Sequence, residues 1–122
     1  SHAPVFVPSV GRYRQGMLVQ IPLALWNIPG APKAVDLHAA LTDHYAGERF
    51  VTVAPFAETE SLGLLDPESL NGTNELRLFV LHNEESGQAV LAGLIDNLGK
   101  GASGQAVQTL NLLMGTDEGE GL

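Results

Sequence analysis

The residue pattern predicts an α+β fold, a mostly antiparallel sheet with helices on one face, and three observations carry that expectation. Met17 to Trp26 places Met17, Val19, Ile21, Leu23 and Leu25 at alternate positions, the period of a strand with one side in a core. Leu76 to His82 and Gln88 to Ile95 are two apolar runs joined by Asn83-Glu84-Glu85-Ser86-Gly87, whose glycine can take the positive φ of a short hairpin connection. Ala34 to Ala46 repeats Val35, Leu37, Leu41 and Tyr45 near the helical period and meets a stop at Gly47, and a second helix is expected from Ala102 to Met114.

Taken in order, Ser1-His2-Ala3 reads as a cloning remnant or as the stump of a longer protein. Val5-Phe6-Val7 reads as a short strand that Pro8 stops. Gly11-Arg12-Tyr13-Arg14-Gln15-Gly16 is a glycine-bounded loop holding two of the six basic residues; anion contact and simple solvation of Arg12 and Arg14 are equally supported. In the strand that follows, Pro22 cannot donate to a ladder, so it belongs at an edge or a bulge. Ile28-Pro29-Gly30-Ala31-Pro32 is a turn, Phe50 to Val53 a brief strand, and Ala54 to Leu70 a loop without sustained period. Both hairpin strands are apolar on both sides, so one side of the sheet is expected to pack on another subunit or domain.

The last helix sets Ala102, Ala106, Leu110 and Leu113 on one side, as core packing requires, and uncharged Gln105, Gln108, Thr109 and Asn111 on the other. That amide-bearing side suits contact with a second protein surface better than open water. The tail from Thr116 onward reads as a solvated end.

The 122 residues make one domain, 1–122, large enough for a core without staples. No cysteine is present, which removes disulfides, thiolate zinc sites and any cysteine nucleophile within the chain. A net charge of −8 offers no basic field, so no nucleic-acid partner is expected. Without an apolar run near the roughly 18 residues of a spanning helix, and without signal-peptide features, no membrane partner is expected and the setting reads as cytoplasmic.

His2, His38, His44 and His82 share no ligand spacing, so no metal site is expected and all four read as structural or surface residues. No serine lies in G-x-S-x-G. Gly99-Lys100-Gly101-Ala102-Ser103-Gly104 does satisfy G-x-G-x-x-G between a strand and a helix. A dinucleotide fold needs a second parallel strand after that helix, and only Gly115 to Leu122 follow Met114 in this sequence, so the match reads as coincidence. The turn can still form an anion site from Lys100 and free backbone N–H groups at a helix N-terminus; Lys100 in solvent on a tight turn explains the residues equally well. Asn97 could present its amide to a ligand or cap the turn.

Asp96-Asn97-Leu98-Gly99-Lys100-Gly101-Ala102-Ser103-Gly104-Gln105-Ala106-Val107-Gln108, with Asn111-Leu112 and Met114-Gly115, resembles the C-terminal signature of the N-acetyl-γ-glutamyl-phosphate reductases of arginine biosynthesis. Tyr45-Ala46-Gly47-Glu48 with Phe50-Val51, Leu70-Asn71-Gly72-Thr73-Asn74, and Phe6-Val7-Pro8 leading to Gly16-Met17 extend the resemblance over nearly the whole chain.

It implies the substrate-binding and oligomerisation domain of that NADP-dependent oxidoreductase, similar to the C-terminal domain of glyceraldehyde-3-phosphate dehydrogenase, with its sheet packed on a partner subunit as a homo-oligomer such as a dimer. The nucleotide-binding domain, the cysteine nucleophile and its histidine partner lie outside the matching region. By that resemblance the chain holds no catalytic residue, binds no NADP(H) alone and is inactive in isolation. The family's arginine before the long strand stands as Gln15 here, so substrate contacts fall to the neighbouring Arg12 or Arg14 and to Lys100. Asn97 and Gly101 become the cofactor-proximal residues. A stand-alone, non-catalytic self-associating module with the same fold is the alternative.

Overall fold

The computed structural model describes residues 3–122. His2, one of the four histidines read as structural or surface residues, lies outside them. Four strands form one sheet in the order β1-β4-β3-β2: β1 (Met17–Ala24), β2 (Val51–Val53), β3 (Leu76–Asn83) and β4 (Gln88–Ile95). The β3–β4 hairpin aligns Leu76 with Ile95 and Val80 with Leu91, and β1 lies antiparallel on β4 with Met17 opposite Ile95 and Ile21 opposite Leu91. Pro22 sits opposite Val90 on the outer strand, where a missing N–H costs no interior ladder bond.

The sheet is mixed, not mostly antiparallel, because β2 runs parallel to β3. The reason is the connection between them, which spans residues 54–75 and is long enough to carry the chain back to the same end. It contains a short helix, α2 (Phe56–Glu60), within the stretch expected to be loop; the single turn and a half has no room for a visible helical period. Val5-Phe6-Val7 forms no strand. The segment is exposed, with Phe6 85% accessible, and it pairs with no strand.

The register puts Val19, Ile21, Leu23, Leu76, Leu78, Val80, Ala89, Leu91 and Ile95 on one side and Leu18, Phe79, Leu81, Ala92 and Leu94 on the other. Helix α1 (Ala34–His44) covers part of the first side: Leu37 and Leu41 pack with Leu25, Ala34, Val80 and Ala89. Its first turn is closed by Asp36, which accepts the Lys33 N–H at 2.8 Å, and the chain leaves it through Gly47 at φ +86°. Irregular backbone, not helix, covers the second side, with Leu62, Leu65 and Leu70 laid against Phe79, Ala92 and Leu94.

The uncovered apolar surface therefore shares a side with α1. It is a groove lined by Val19, Ile21, Leu41, Tyr45, Leu78 and Leu91. The third helix, α3 (Gly104–Met114), leaves the end of β4 through a π-turn at Gly99–Ser103 and does not lie on the sheet.

Among the described residues no helix is long and apolar enough to cross a membrane. His38 Nε2 is 2.9 Å from the Ala54 carbonyl, His82 stacks on Phe56, and the exposed His44 meets the edge of Tyr45.

Candidate functional site at the strand-to-helix turn

Asp96, the first residue past β4, is 2% exposed and accepts four hydrogen bonds. Its Oδ1 takes the Leu98 and Gly99 N–H groups at 2.9 and 3.0 Å, and its Oδ2 takes the Gly72 N–H at 2.8 Å and Gln15 Nε2 at 2.9 Å. The Gly72 and Gly99 N–H groups hold its carboxyl below the usual 3.8, against the opposing pull of burial. One carboxylate thus ties together the end of β4, the loop before β1 and the turn before β3.

The same bonds close the expected anion cradle. Leu98 and Gly99 N–H are taken by Asp96, Gly101 N–H by the Asp96 carbonyl at 2.9 Å, and Ser103 N–H by the Leu98 carbonyl at 3.1 Å. The turn carries its own anion. Free backbone donors for a phosphate, the premise of that expectation, are therefore not present at these four positions.

Asn97 Oδ1 accepts the Gly16 N–H at 2.7 Å, while Asn71 Nδ2 donates to the Gln15 carbonyl at 3.2 Å. Gln15-Gly16 is thereby clamped from three sides. Gly16 is buried at φ +109°, and a methyl group added there would run into the Pro67 carbonyl. Gly16→Ala is expected to lower stability by about 2 kcal/mol through strain and collision, read as a drop in the chemical-denaturation midpoint. A midpoint within error of wild type would show that the loop adapts.

At the position where the resemblance expects an arginine, the side chain turns inward, Gln15 to Asp96. Arg12 and Arg14 are exposed on the loop, and among the described residues neither makes an ion pair or a side-chain hydrogen bond. Asn97 keeps its Nδ2 unpaired among the described residues, and Gly101 beside it is exposed and offers no side chain.

Lys100 is partly buried. Its Nζ bonds Gln108 Oε1 and lies 5.5 Å from the Phe50 ring centre. Burial pushes the ammonium pKa down, and Glu118 and Glu48 push it back up. Gln108 Oε1 also accepts Asn74 Nδ2 at 3.0 Å, and Gln108 Nε2 donates to Glu118 Oε1 at 2.6 Å. Lys100 is thus neither free in solvent nor at an open cradle.

These contacts reverse the orientation expected of α3. Its buried residues are Gly104 and Asn111, and the half-buried Gln108 also faces the protein, whereas the stripe Ala102, Ala106, Leu110 and Leu113 is exposed, Leu113 at 81%. The cause is local: Gly104 lies so close to Asn74 Oδ1 that no side chain fits, and the amides of Gln108 and Asn111 find partners on that side.

The tail is largely solvent-exposed, as expected of it, but it is tethered to α3 and to Arg49. Gly115 at φ +69° ends α3 with Thr116 N–H on the Asn111 carbonyl at 3.1 Å, a Schellman closure. Asn111 Nδ2 then holds the Glu118 and Glu120 carbonyls, and Asp117 pairs with Arg49 at 2.6 Å. Asp96 had one sequence signal, an acid directly before a glycine-rich turn, the setting in which aspartate bonds backbone N–H groups. The Asn74–Gln108 and Gln108–Glu118 contacts had none, since they depend on where α3 points.

A family model described as semialdehyde dehydrogenase, dimerisation domain, matches residues 1–97. Among curated proteins, the N-acetyl-γ-glutamyl-phosphate reductase of Burkholderia ambifaria is 51% identical over 94% of this chain. Those of Brucella anthropi and Brucella ovis are each 51% identical over 92% of it. The chain spans about 36% of the length of these relatives. The names agree with the resemblance carried by the Asp96–Gly115 stretch. With the match running through both edges of the sheet and up to Asn97, the chain belongs to the semialdehyde dehydrogenase dimerisation-domain family.

Proposed function

We propose that this chain is the substrate-binding and oligomerisation part of an NADPH-dependent N-acetyl-γ-glutamyl-phosphate reductase of arginine biosynthesis, working in the cytoplasm as a homo-oligomer and inactive in isolation. The observation that carries the reading is the pair of uncovered apolar surfaces flanking one ordered turn. The groove on β1, β3 and β4 suits the matching groove of a second copy, and the bare stripe of α3 suits a nucleotide-binding domain. Between them in sequence stands the Asn97–Lys100 turn.

In that enzyme a cysteine thiolate, necessarily from outside this cysteine-free chain, displaces phosphate from the acyl phosphate and forms a thioester. A nicotinamide cofactor, when bound, would supply the hydride for reducing the thioester to the semialdehyde. The residues present fit such a cofactor: the Nδ2 of Asn97, without a partner among the described residues, could donate to a ring carboxamide, and Gly101 beside it leaves room for approach. Arg12, Arg14 and Lys100 supply the positive charge that orients the anionic ends of the substrate.

Adding the nucleotide-binding domain with its cysteine in trans should restore NADPH oxidation, and its failure to do so with both parts folded and associated would sink the reading. In the full-length enzyme Lys100→Ala should raise the Michaelis constant for the acyl phosphate about tenfold with a smaller change in kcat, the mark of a binding contact. Unchanged constants would leave Lys100 only its bond to Gln108.

A further inference from the structure

Gly115–Leu122 lies across the two cations nearest Phe50. Arg49 and Lys100 stand 5.3 and 5.5 Å from that ring centre, and the segment sets one acid against each: Asp117 pairs with Arg49, and Glu118 reaches Lys100 through Gln108. Gly119 sits so close to the Arg49 guanidinium that a side chain there would displace the guanidinium from its present place. The segment therefore holds the Glu118 carboxylate on the Gln108 amide that also contacts Lys100, close enough for its charge, with that of Glu48, to act on the ammonium without an ion pair.

Its attachment is entirely polar. It contributes no buried apolar side chain, and Leu122 is 43% exposed. Three of its eight residues are glycine, two of them at positive φ. The Arg49–Asp117 pair has side chains 49% and 68% exposed, the class of ion pair that holds weakly. The firmer attachments are two Asn111 bonds to the Glu118 and Glu120 carbonyls, and the Gln108–Glu118 bond. A strap of this kind can lift without disturbing the core.

We propose that Gly115–Leu122 is a displaceable strap whose Glu118 carboxylate occupies the Gln108 Nε2 donor beside Lys100 until a small anion, phosphate or carboxylate in chemistry, takes that donor together with the Lys100 ammonium. This rests on the reading of Lys100 as a substrate contact and adds that the contact is guarded. When the strap lifts, Gln108 Nε2 loses its acceptor and becomes a second donor to the incoming anion, beside the Lys100 ammonium. An anion so bound meets one amide and one cation where the resting protein has an amide, a cation and its own carboxylate.

Inorganic phosphate is the probe, titrated into the 122-residue chain and followed by NMR at the Lys100 and Gln108 side chains. Glu118→Gln, alone and with Asp117→Asn, should tighten phosphate binding about tenfold, and adding Lys100→Ala to either should abolish it. In the wild-type chain, saturating phosphate should also speed hydrogen exchange of the Thr116 and Glu120 amides, which are bonded within the strap and to α3. The exchange measurement uses no variant and so does not depend on one folding. Equal phosphate affinity in wild type and the Glu118→Gln chain overturns the proposal, as does an absence of phosphate binding in both, or exchange unaffected by phosphate. None of these outcomes touches the reductase reading, which stands on turnover in the reconstituted enzyme.

Discussion

Asp96→Ala should unfold this protein more readily than any other single truncation in the turn, by about 3–5 kcal/mol, because it strands several buried donors at once. Leu98, Gly99 and Gly72 N–H groups and the Gln15 amide all point at its carboxylate, and with the residue 2% exposed water has little access to replace it. The loss also spreads. Gln15 and Gly72 belong to separate loops, so the clamp on Gly16 and the turn leading into β3 loosen together.

The pH dependence has a definite sign. The folded-state carboxyl titrates below the 3.8 of a free aspartate, so the folded protein binds fewer protons than the unfolded chain in acid. Its contribution is complete above the unfolded value and declines as pH falls through the depressed folded one. Urea unfolding of wild type against Asp96→Asn should show a stability gap that is constant from pH 7 to about pH 5 and narrows below about pH 4. A gap that does not narrow in acid would assign the loss to altered packing instead of charge.

Ile21→Asp should weaken the proposed self-association about a hundredfold. Ile21 is 51% exposed and Val19 46% exposed on a strand whose neighbours Leu78 and Leu91 line the same groove, so the chain leaves a contiguous apolar strip bare beside α1. A carboxylate buried in the middle of an interface without a partner costs about 3 kcal/mol, which raises the dissociation constant about a hundredfold. Sedimentation velocity across a range of concentrations reads this directly. Glu60→Lys, at an exposed position of α2 that does not line the groove, should leave association unchanged. Equal sedimentation of the wild-type and Ile21→Asp chains would move the interface elsewhere.

Much of the sheet was legible because its signals are local. Alternation marked β1 from Met17, and the hairpin at Leu76–Asn83 and Gln88–Ile95 came within a residue of expectation because a glycine-terminated turn separates two unbroken apolar runs. Helix α1 ends two residues before the expected Ala46, where Tyr45 departs from helical geometry. The parallel pairing of β2 was not legible, since three residues carry no direction.

The orientation of α3 failed for a different reason. Its apolar stripe is real, but a stripe says only that something covers it, and here the protein's own core does not. Of the candidate site, Asn97 and Lys100 were legible as the residues of an unusual turn. The four-donor grip on Asp96 and the carboxylates beside Lys100 and Arg49 were not, because they join segments far apart in the chain.

The pairing of β1 with β4 bears on the order in which the fold assembles. The partners are separated by α1, β2, α2 and β3, so every residue of that ladder closes a long loop, whereas β3 and β4 meet across a four-residue turn. Local closure costs less entropy, which makes the hairpin the template and β1 its late addition. On a ribosome adding about 5–20 residues per second, β1 emerges seconds ahead of the strand that will hold it. For that interval Met17–Ala24 is an apolar ribbon with both hydrogen-bonding edges open, and its chief protection against pairing with a neighbouring chain is Pro22, which removes one donor from the middle of the edge.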